Sequence, residues 1–168
     1  MRELLISGGR LIDGTGVAPR PADVLLRGDE IVAVGDPGTV VHAPDATHID
    51  AAGKIVMPGL IDAHLHCTFD DVQSNDELFF HREPTMAALT TAQNLQKLLR
   101  AGVTSFMDPD TAFGIGPAVR DAITYGVIEG PRMKTGYQAL FTAVGGTAGR
   151  LIPDSGHCLL YTSDAADE

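Results

Sequence analysis

Two histidines separated by a single residue, His64 and His66, are the side chains in this sequence best suited to chemistry. They end an apolar stretch, 54–66, which follows a turn-forming Ala-Ala-Gly segment. On a β-strand, side chains two residues apart share a face and lie roughly 6.6 Å apart. Two imidazoles at that spacing can bind one ion, with Zn–N distances of about 2.0–2.1 Å. The pattern therefore predicts a metal site with His64 and His66 as ligands.

The neighbouring residues help to separate this interpretation from its alternative, a pair of exposed strand histidines. Leu60, Ile61 and Ala63 indicate a strand that is covered on both faces, as in a parallel sheet. Buried polar side chains need partners, and a metal ion would provide one for each imidazole. Asp62 would share the face of both histidines.

Alternating strands and helices after residue 55 must position these side chains. Glycine and proline signals, together with apolar periodicity, predict five elements: a strand 55–66, a helix from Pro84 to Gly102, a strand 103–108, a helix from Gly116 to about Tyr125, and a strand 132–136. This order implies parallel strands joined by crossovers. It matches the first three strands of a (β/α)8 barrel, a fold that needs about 250 residues when complete.

Several residues in this half carry further predictions. The first helix should bury an apolar stripe made of Leu89, Ala92, Leu95, Leu98 and Leu99. Asp108 would lie at the C-terminal end of the second strand, where barrel enzymes do chemistry, and we favour a loop cap over a substrate contact. The polar loop 67–82 would either shape a pocket or be solvated, and His81 and Glu83 at its end could contact a ligand.

The first fifty residues indicate short strands and tight turns. The predicted strands are 4–6, 11–12, 23–27, 31–34 and 47–50. Gly28 and Asp29 predict a two-residue hairpin turn between the third and fourth of them. We interpret His42 and His48, which lie in this part, as surface or packing residues.

The segment Met57-Pro-Gly-Leu-Ile-Asp-Ala-His-Leu-His66 resembles the first barrel strand of the amidohydrolase superfamily of metal-dependent hydrolases. The glycine-rich segment 141–149 is similar to a loop in the prolidase-like and imidazolonepropionase-like members. The resemblance implies an α/β fold, namely an incomplete TIM (β/α)8 barrel of about three β/α units after the N-terminal part of a small β-sandwich. The implied domains are 1–54 for the sandwich segment, 55–157 for the partial barrel and 158–168 for a tail.

The resemblance also implies a chemistry. Members of this superfamily hydrolyse C–N bonds in amides, dipeptides or cyclic amides with a metal-activated water. His64 and His66 would be ligands of a divalent metal, zinc, with one or two ions in the intact enzyme. The remaining ligands would come from later barrel strands, so we expect this chain alone to be inactive. The alternatives are a deaminase of the same superfamily and a short protein that binds a metal or a partner without catalysis.

Composition limits the classes of partner. The formal net charge of −10 over 168 residues disfavours nucleic acid and anionic membranes, and we find no pattern of a signal peptide or a membrane span. Two distant cysteines, Cys67 and Cys158, cannot form a disulfide framework or a zinc ribbon, which favours a reducing, cytoplasmic setting. We expect a small-molecule substrate, and homo-oligomerisation of the intact protein stays open.

The C-terminal residues, Cys158–Glu168, differ from the rest and resemble the translation of a sequencing adapter. We expect the natural part of this sequence to stop near Gly156 or His157, because the DNA read stopped there, and the tail to be non-native. Fusion scars are excluded from fold reasoning, so Cys158 would have no function.

Overall fold

A computed structural model of the chain describes residues 2–69 and 82–137. The chain divides into two compact units, Met1–Pro58 and Gly59–Glu168. His81, the glycine-rich segment 141–149 and the tail 158–168 lie outside the described residues, and the domain bounds implied by the resemblance stay predictions.

The first unit contains two small sheets. Its strands are β1 (Glu3–Ser7), β2 (Arg10–Leu11), β3 (Arg20–Pro21), β4 (Asp23–Arg27), β5 (Glu30–Gly35), β6 (Thr47–Asp50) and β7 (Ile55–Val56). One sheet has the order β5-β4-β1-β6 and the other the order β3-β2-β7. Leu11, Ala22 and Val24 form one buried hydrophobic cluster of this unit. The five strands predicted from the sequence are all confirmed.

The hairpin of the first unit forms where the turn residues predicted it. β4 and β5 are antiparallel neighbours, with Arg27 opposite Glu30. Gly28 has a φ of 64°, a left-handed conformation that glycine adopts without a steric penalty. The turn chemistry therefore sets the register of this strand pair.

The second unit is an α/β structure. Its elements are β8 (Leu60–Asp62), α1 (Pro84–Arg100), β9 (Val103–Asp108), α2 (Gly116–Thr124) and β10 (Arg132–Thr135). The sheet order is β10-β9-β8, and both strand pairs are parallel. This confirms the predicted alternation, with consecutive parallel strands as neighbours and helices between them. Among the helices of the described residues, none has the length and hydrophobicity needed to cross a bilayer.

The predicted strand 55–66 is wrong in its extent. The expectation that it is covered on both faces is also wrong, since Leu60 and Ile61 are 49% and 75% exposed. Residues 55–56 pair with Arg10 and Leu11 in the first unit, and a separate strand, β8, ends at Asp62. Here the Asp62 side chain accepts a hydrogen bond from the His64 N–H at 3.1 Å. This local bond is an alternative to a sheet hydrogen bond and ends the strand. His64 and His66 therefore lie in the loop that follows β8.

The predicted apolar stripe of α1 is also wrong in part. The buried residues of this helix are Ala87, Thr91 and Leu95, which are spaced four apart. Leu89, by contrast, is 68% exposed. Leu95 packs in a core with Cys67, Phe106, Val119 and Met133. The helix therefore buries the face that carries Ala87, Thr91 and Leu95, and not the face that carries Leu89.

Gly59, directly before β8, tests the packing of this sheet. A Cβ at this position would overlap the side chain of Thr104. We expect Gly59→Ala to lower the free energy of unfolding by about 1–3 kcal/mol, as overpacking does, measured as a shift in the urea midpoint. In a double-mutant cycle, Thr104→Ala should recover part of this loss, because it removes the two nearest atoms. Additive effects of the two substitutions would contradict the clash.

Candidate metal centre

His64 and His66 are neighbours in space as well as in sequence. Their ring centroids lie 5.1 Å apart and their planes are at 79°. Two imidazoles that bind one tetrahedral ion through bonds of about 2.0–2.1 Å have ring centroids about 5 Å apart. The separation of the two rings thus fits a shared ion, even though the histidines lie in a loop and not on the strand.

His66 is held by a neighbouring carboxylate and by a ring. Its Nδ1 lies 3.2 Å from Oδ1 of Asp110 and 3.4 Å from the backbone oxygen of the same residue. Both oxygens only accept, so Nδ1 must donate. The ring of Phe69 stacks on the imidazole at 4.8 Å, nearly parallel. Nε2 is therefore the ring atom that keeps a lone pair for a ligand.

The loop that carries His66 is anchored by a buried carboxylate. Asp108 is 0% exposed, and its Oδ2 accepts a hydrogen bond from the Cys67 N–H at 2.9 Å. Its Oδ1 accepts one from the Asp110 N–H at 3.1 Å. Burial raises the pKa of Asp108, and the hydrogen bonds from Cys67 limit the rise. Asp108 thus joins the loops after β8 and β9, which confirms the interpretation as a loop cap.

Two further side chains hold the same loop. Asn94 of α1 donates to the backbone oxygens of Cys67 at 3.1 Å and Phe69 at 2.9 Å. The hydroxyl of Thr68 accepts a hydrogen bond from the Ala112 N–H at 3.2 Å. The segment after His66 is therefore bound to the helix and to the next loop along the sheet. Such support is what a preorganised site requires.

Cys67 is not suited to be a ligand. It is 1% exposed, and burial, together with the nearby Asp108, raises the pKa of its thiol. A metal binds the thiolate form, which this environment disfavours. In the described part of the chain, no group of three or more His, Cys, Asp or Glu side chains is arranged to hold a metal. His64 and His66 are thus two neighbouring imidazoles and not a complete set of metal ligands.

A second imidazole pair lies in the first unit. The rings of His42 and His48 are 5.1 Å apart at 69°, and both residues are exposed. Nδ1 of His42 lies 2.9 Å from the backbone oxygen of Ala43. The prediction of surface residues is confirmed. This pair resembles His64 and His66 in ring separation and is a natural control for them. Glu83 lies exposed immediately before α1.

The sequence did not indicate Asp110 or Asn94. Each contacts its partner across a long sequence separation, 44 residues for Asp110 and His66 and 27 for Asn94 and Cys67. A weak signal was present, because Asn94 is a short polar side chain in a helix, where it is intrinsically unfavourable.

The second unit has the strand and helix order of the first β/α units of a (β/α)8 barrel. Residues 55–141 match the amidohydrolase family. The chain therefore belongs to the amidohydrolase family, as the segment that ends at His66 predicted.

Several known proteins are similar to parts of this chain. An N-acyl-D-glutamate deacylase from Alcaligenes xylosoxydans xylosoxydans is 43% identical over 82 residues, which cover 49% of this chain and 14% of the deacylase. A 5-methylthioadenosine/S-adenosylhomocysteine deaminase from Symbiobacterium thermophilum is 30% identical over 145 residues, covering 76% of this chain and 33% of the deaminase.

A solved structure extends the similarity to the fold. The crystal structure of a prolidase complexed with N-methylphosphonate-L-proline is 29% identical and has a TM-score of 0.72. The match covers 94% of this chain and 38% of the prolidase. The α/β fold of the first part of an amidohydrolase barrel is thus confirmed. The chain spans well under half the length of each of these relatives.

Proposed function

We propose that this chain is part of a metal-dependent hydrolase of C–N bonds and that His64 and His66 bind a divalent metal, zinc. The observation that carries the proposal is a pair of rings 5.1 Å apart, a separation that fits one shared ion, next to a loop that Asp108 and Asn94 hold in place. Membership of the amidohydrolase family, whose members are generally metal-dependent, supports it. The deacylase and the prolidase among the similar proteins favour an amide substrate, such as an N-acyl amino acid or a dipeptide.

In this proposal some residues of the chain would bind the metal ion, and others would hold those ligands in position. A divalent metal in such a site polarises the scissile group and lowers the pKa of a bound water to about 7. His64 and His66 would offer neutral imidazole nitrogens, and Nε2 is the available atom of His66. Asp108 and Asn94 would hold the loop, so that the ring of His66 is already placed before a metal arrives. This preorganisation avoids an ordering cost on binding.

We also propose that the chain by itself binds metal weakly and does not hydrolyse substrate. Catalytic zinc typically has three protein ligands, and the described residues bring together two. The net charge of −10 supports a small-molecule substrate and not nucleic acid. A cytoplasmic location and a homo-oligomer of the intact protein belong to the same proposal.

A second candidate activity is deamination. The support is the 30% identity to a deaminase over most of this chain. Both activities would use the same two histidines. The product separates them, because a deaminase releases ammonia, whereas an amidase or peptidase releases a carboxylate and an amine. Assay of the full-length gene product with N-acyl amino acids, dipeptides and adenosine derivatives would decide between the two.

The metal site is tested by titrating the chain with Co²⁺ and Zn²⁺. The double variant His64→Ala/His66→Ala should bind both metals at least about 100-fold more weakly. This loss exceeds the typical effect of removing a residue that only hydrogen-bonds to a metal ligand. The matched control, His42→Ala/His48→Ala, removes an imidazole pair with the same ring separation and should keep the affinity. Binding that survives the first variant with unchanged affinity would overturn the proposal, whatever the control shows.

A further inference from the structure

We propose that Asp110 is a positioning residue that fixes the tautomer of His66, with the proton on Nδ1 and the lone pair on Nε2. The carboxylate oxygen lies 3.2 Å from Nδ1. The backbone oxygen of Asp110 lies 3.4 Å from the same nitrogen, close to the limit of a hydrogen bond. The carboxylate is therefore the stronger acceptor, and a charged acceptor forms about twice as strong a bond as a neutral one.

Asp110 is itself held in place. Its backbone N–H donates to Oδ1 of the buried Asp108 at 3.1 Å. The carboxylate of Asp110 therefore remains available to His66. The stacked ring of Phe69 restricts rotation of the imidazole from the other side. The side chains of His66 and Asp110 are 29% and 28% exposed, so their contact is partly shielded from water. Asp110 and Phe69 thus fix one ring orientation.

The tautomer determines which ring nitrogen of His66 can bind a cation. With Nδ1–H directed to Asp110, the Nε2 lone pair points away from the carboxylate and is available to a cation. His66 would then bind a cation more tightly than an isolated histidine. The tighter binding of a cation rests on the proposed function, whereas the tautomer of His66 does not.

The tautomer can be measured without any metal. In the ¹⁵N-labelled chain, long-range ¹H–¹⁵N correlation spectra separate the Nδ1–H and Nε2–H forms of each neutral histidine. The His66 signals are assigned from their loss in His66→Ala. We expect the Nδ1–H form to dominate in the wild type. Asp110→Ala should shift His66 towards the Nε2–H form, which an unconstrained neutral histidine favours.

Asp110→Asn keeps a neutral acceptor of the same shape and should shift the tautomer less than alanine does. It carries the test if circular dichroism shows that the alanine variant is unfolded. Asp121→Ala removes an aspartate of α2 that pairs with Arg120 and should leave His66 unchanged. A His66 tautomer that is the same in the wild type and in the folded Asp110 variants overturns the inference, because the backbone oxygen would then suffice.

A Co²⁺ titration of the same variants separates the two proposals. Asp110→Ala should weaken binding by about 10-fold, as is typical when the partner of a ligating histidine is lost, and Asp110→Asn by less. An unchanged affinity in both variants overturns the effect on the metal, although the tautomer shift would still support the positioning role. If the wild type shows no binding that depends on His64 and His66, the proposed function fails, and the tautomer measurement still decides the role of Asp110.

Discussion

Replacing Asp108 with alanine is expected to lower the free energy of unfolding of the second unit by about 3 kcal/mol. The substitution leaves the N–H groups of Cys67 and Asp110 without their acceptor, and a buried unsatisfied donor costs about 1–3 kcal/mol. It also removes the link between the loops after β8 and β9. The effect should therefore be largest at the loop that carries His66.

The unfolding of this unit can be followed through Cys67, whose thiol is buried. In a Cys158→Ser background, Cys67 is the single thiol of the chain, and its alkylation as a function of urea concentration reports the opening of the surrounding core. Asp121→Ala removes an exposed ion pair with Arg120 and should change stability by less than about 1 kcal/mol. Equal shifts in the two variants would contradict the role of Asp108 as the anchor.

The ionisation of Asp108 adds a pH dependence with a defined sign. Burial raises the pKa of this carboxyl, so the folded state favours the protonated form. The resulting stability is complete below the unfolded pKa of about 3.9, and it is lost as the pH rises through the folded pKa. Asp108→Asn cannot ionise. The free energy of unfolding of this variant should therefore fall below that of the wild type by the largest amount at low pH, and the difference should become smaller as the pH rises.

The sequence allowed most elements of both units to be predicted, because local signals determine them. Pro84 begins α1, and Gly102, with a φ of 87°, follows its end. The pairing of His64 and His66 was visible for the same reason, since the two residues are separated by one position. By contrast, the support of the site comes from Asn94 and Asp110, which reach it from other elements of the unit. No local pattern specifies such contacts.

The error in the predicted strand has a physical cause as well. Alternation of apolar and polar residues continues through His66, so periodicity alone extends the strand to that point. The bond from the His64 N–H to the Asp62 side chain ends it four residues earlier. Aspartate is a frequent source of such local competition with sheet hydrogen bonds. Its presence immediately before the histidines was the signal that periodicity did not include.

Truncation of Leu95 to alanine is expected to lower the free energy of unfolding of the second unit by about 3 kcal/mol. Leu95 is 0% exposed and packs against Phe106, Val119 and Met133. Removing its side chain loses the transfer free energy of the buried groups and leaves a cavity, and leucine-to-alanine changes in cores cost about 2–5 kcal/mol. Urea titration with Cys67 as the reporter measures the loss.

Leu89→Ala is the matched control, because it removes the same atoms from the same helix and makes the same change in helix propensity. Leu89 is 68% exposed, so its truncation should cost less than about 0.5 kcal/mol. The predicted stripe placed Leu89 and Leu95 on one buried face, and that arrangement would give similar losses for both. The structure instead buries Ala87, Thr91 and Leu95. Similar losses at the two leucines would mean that α1 is rotated about its axis relative to this arrangement, and Asn94 would then no longer reach the loop of His66.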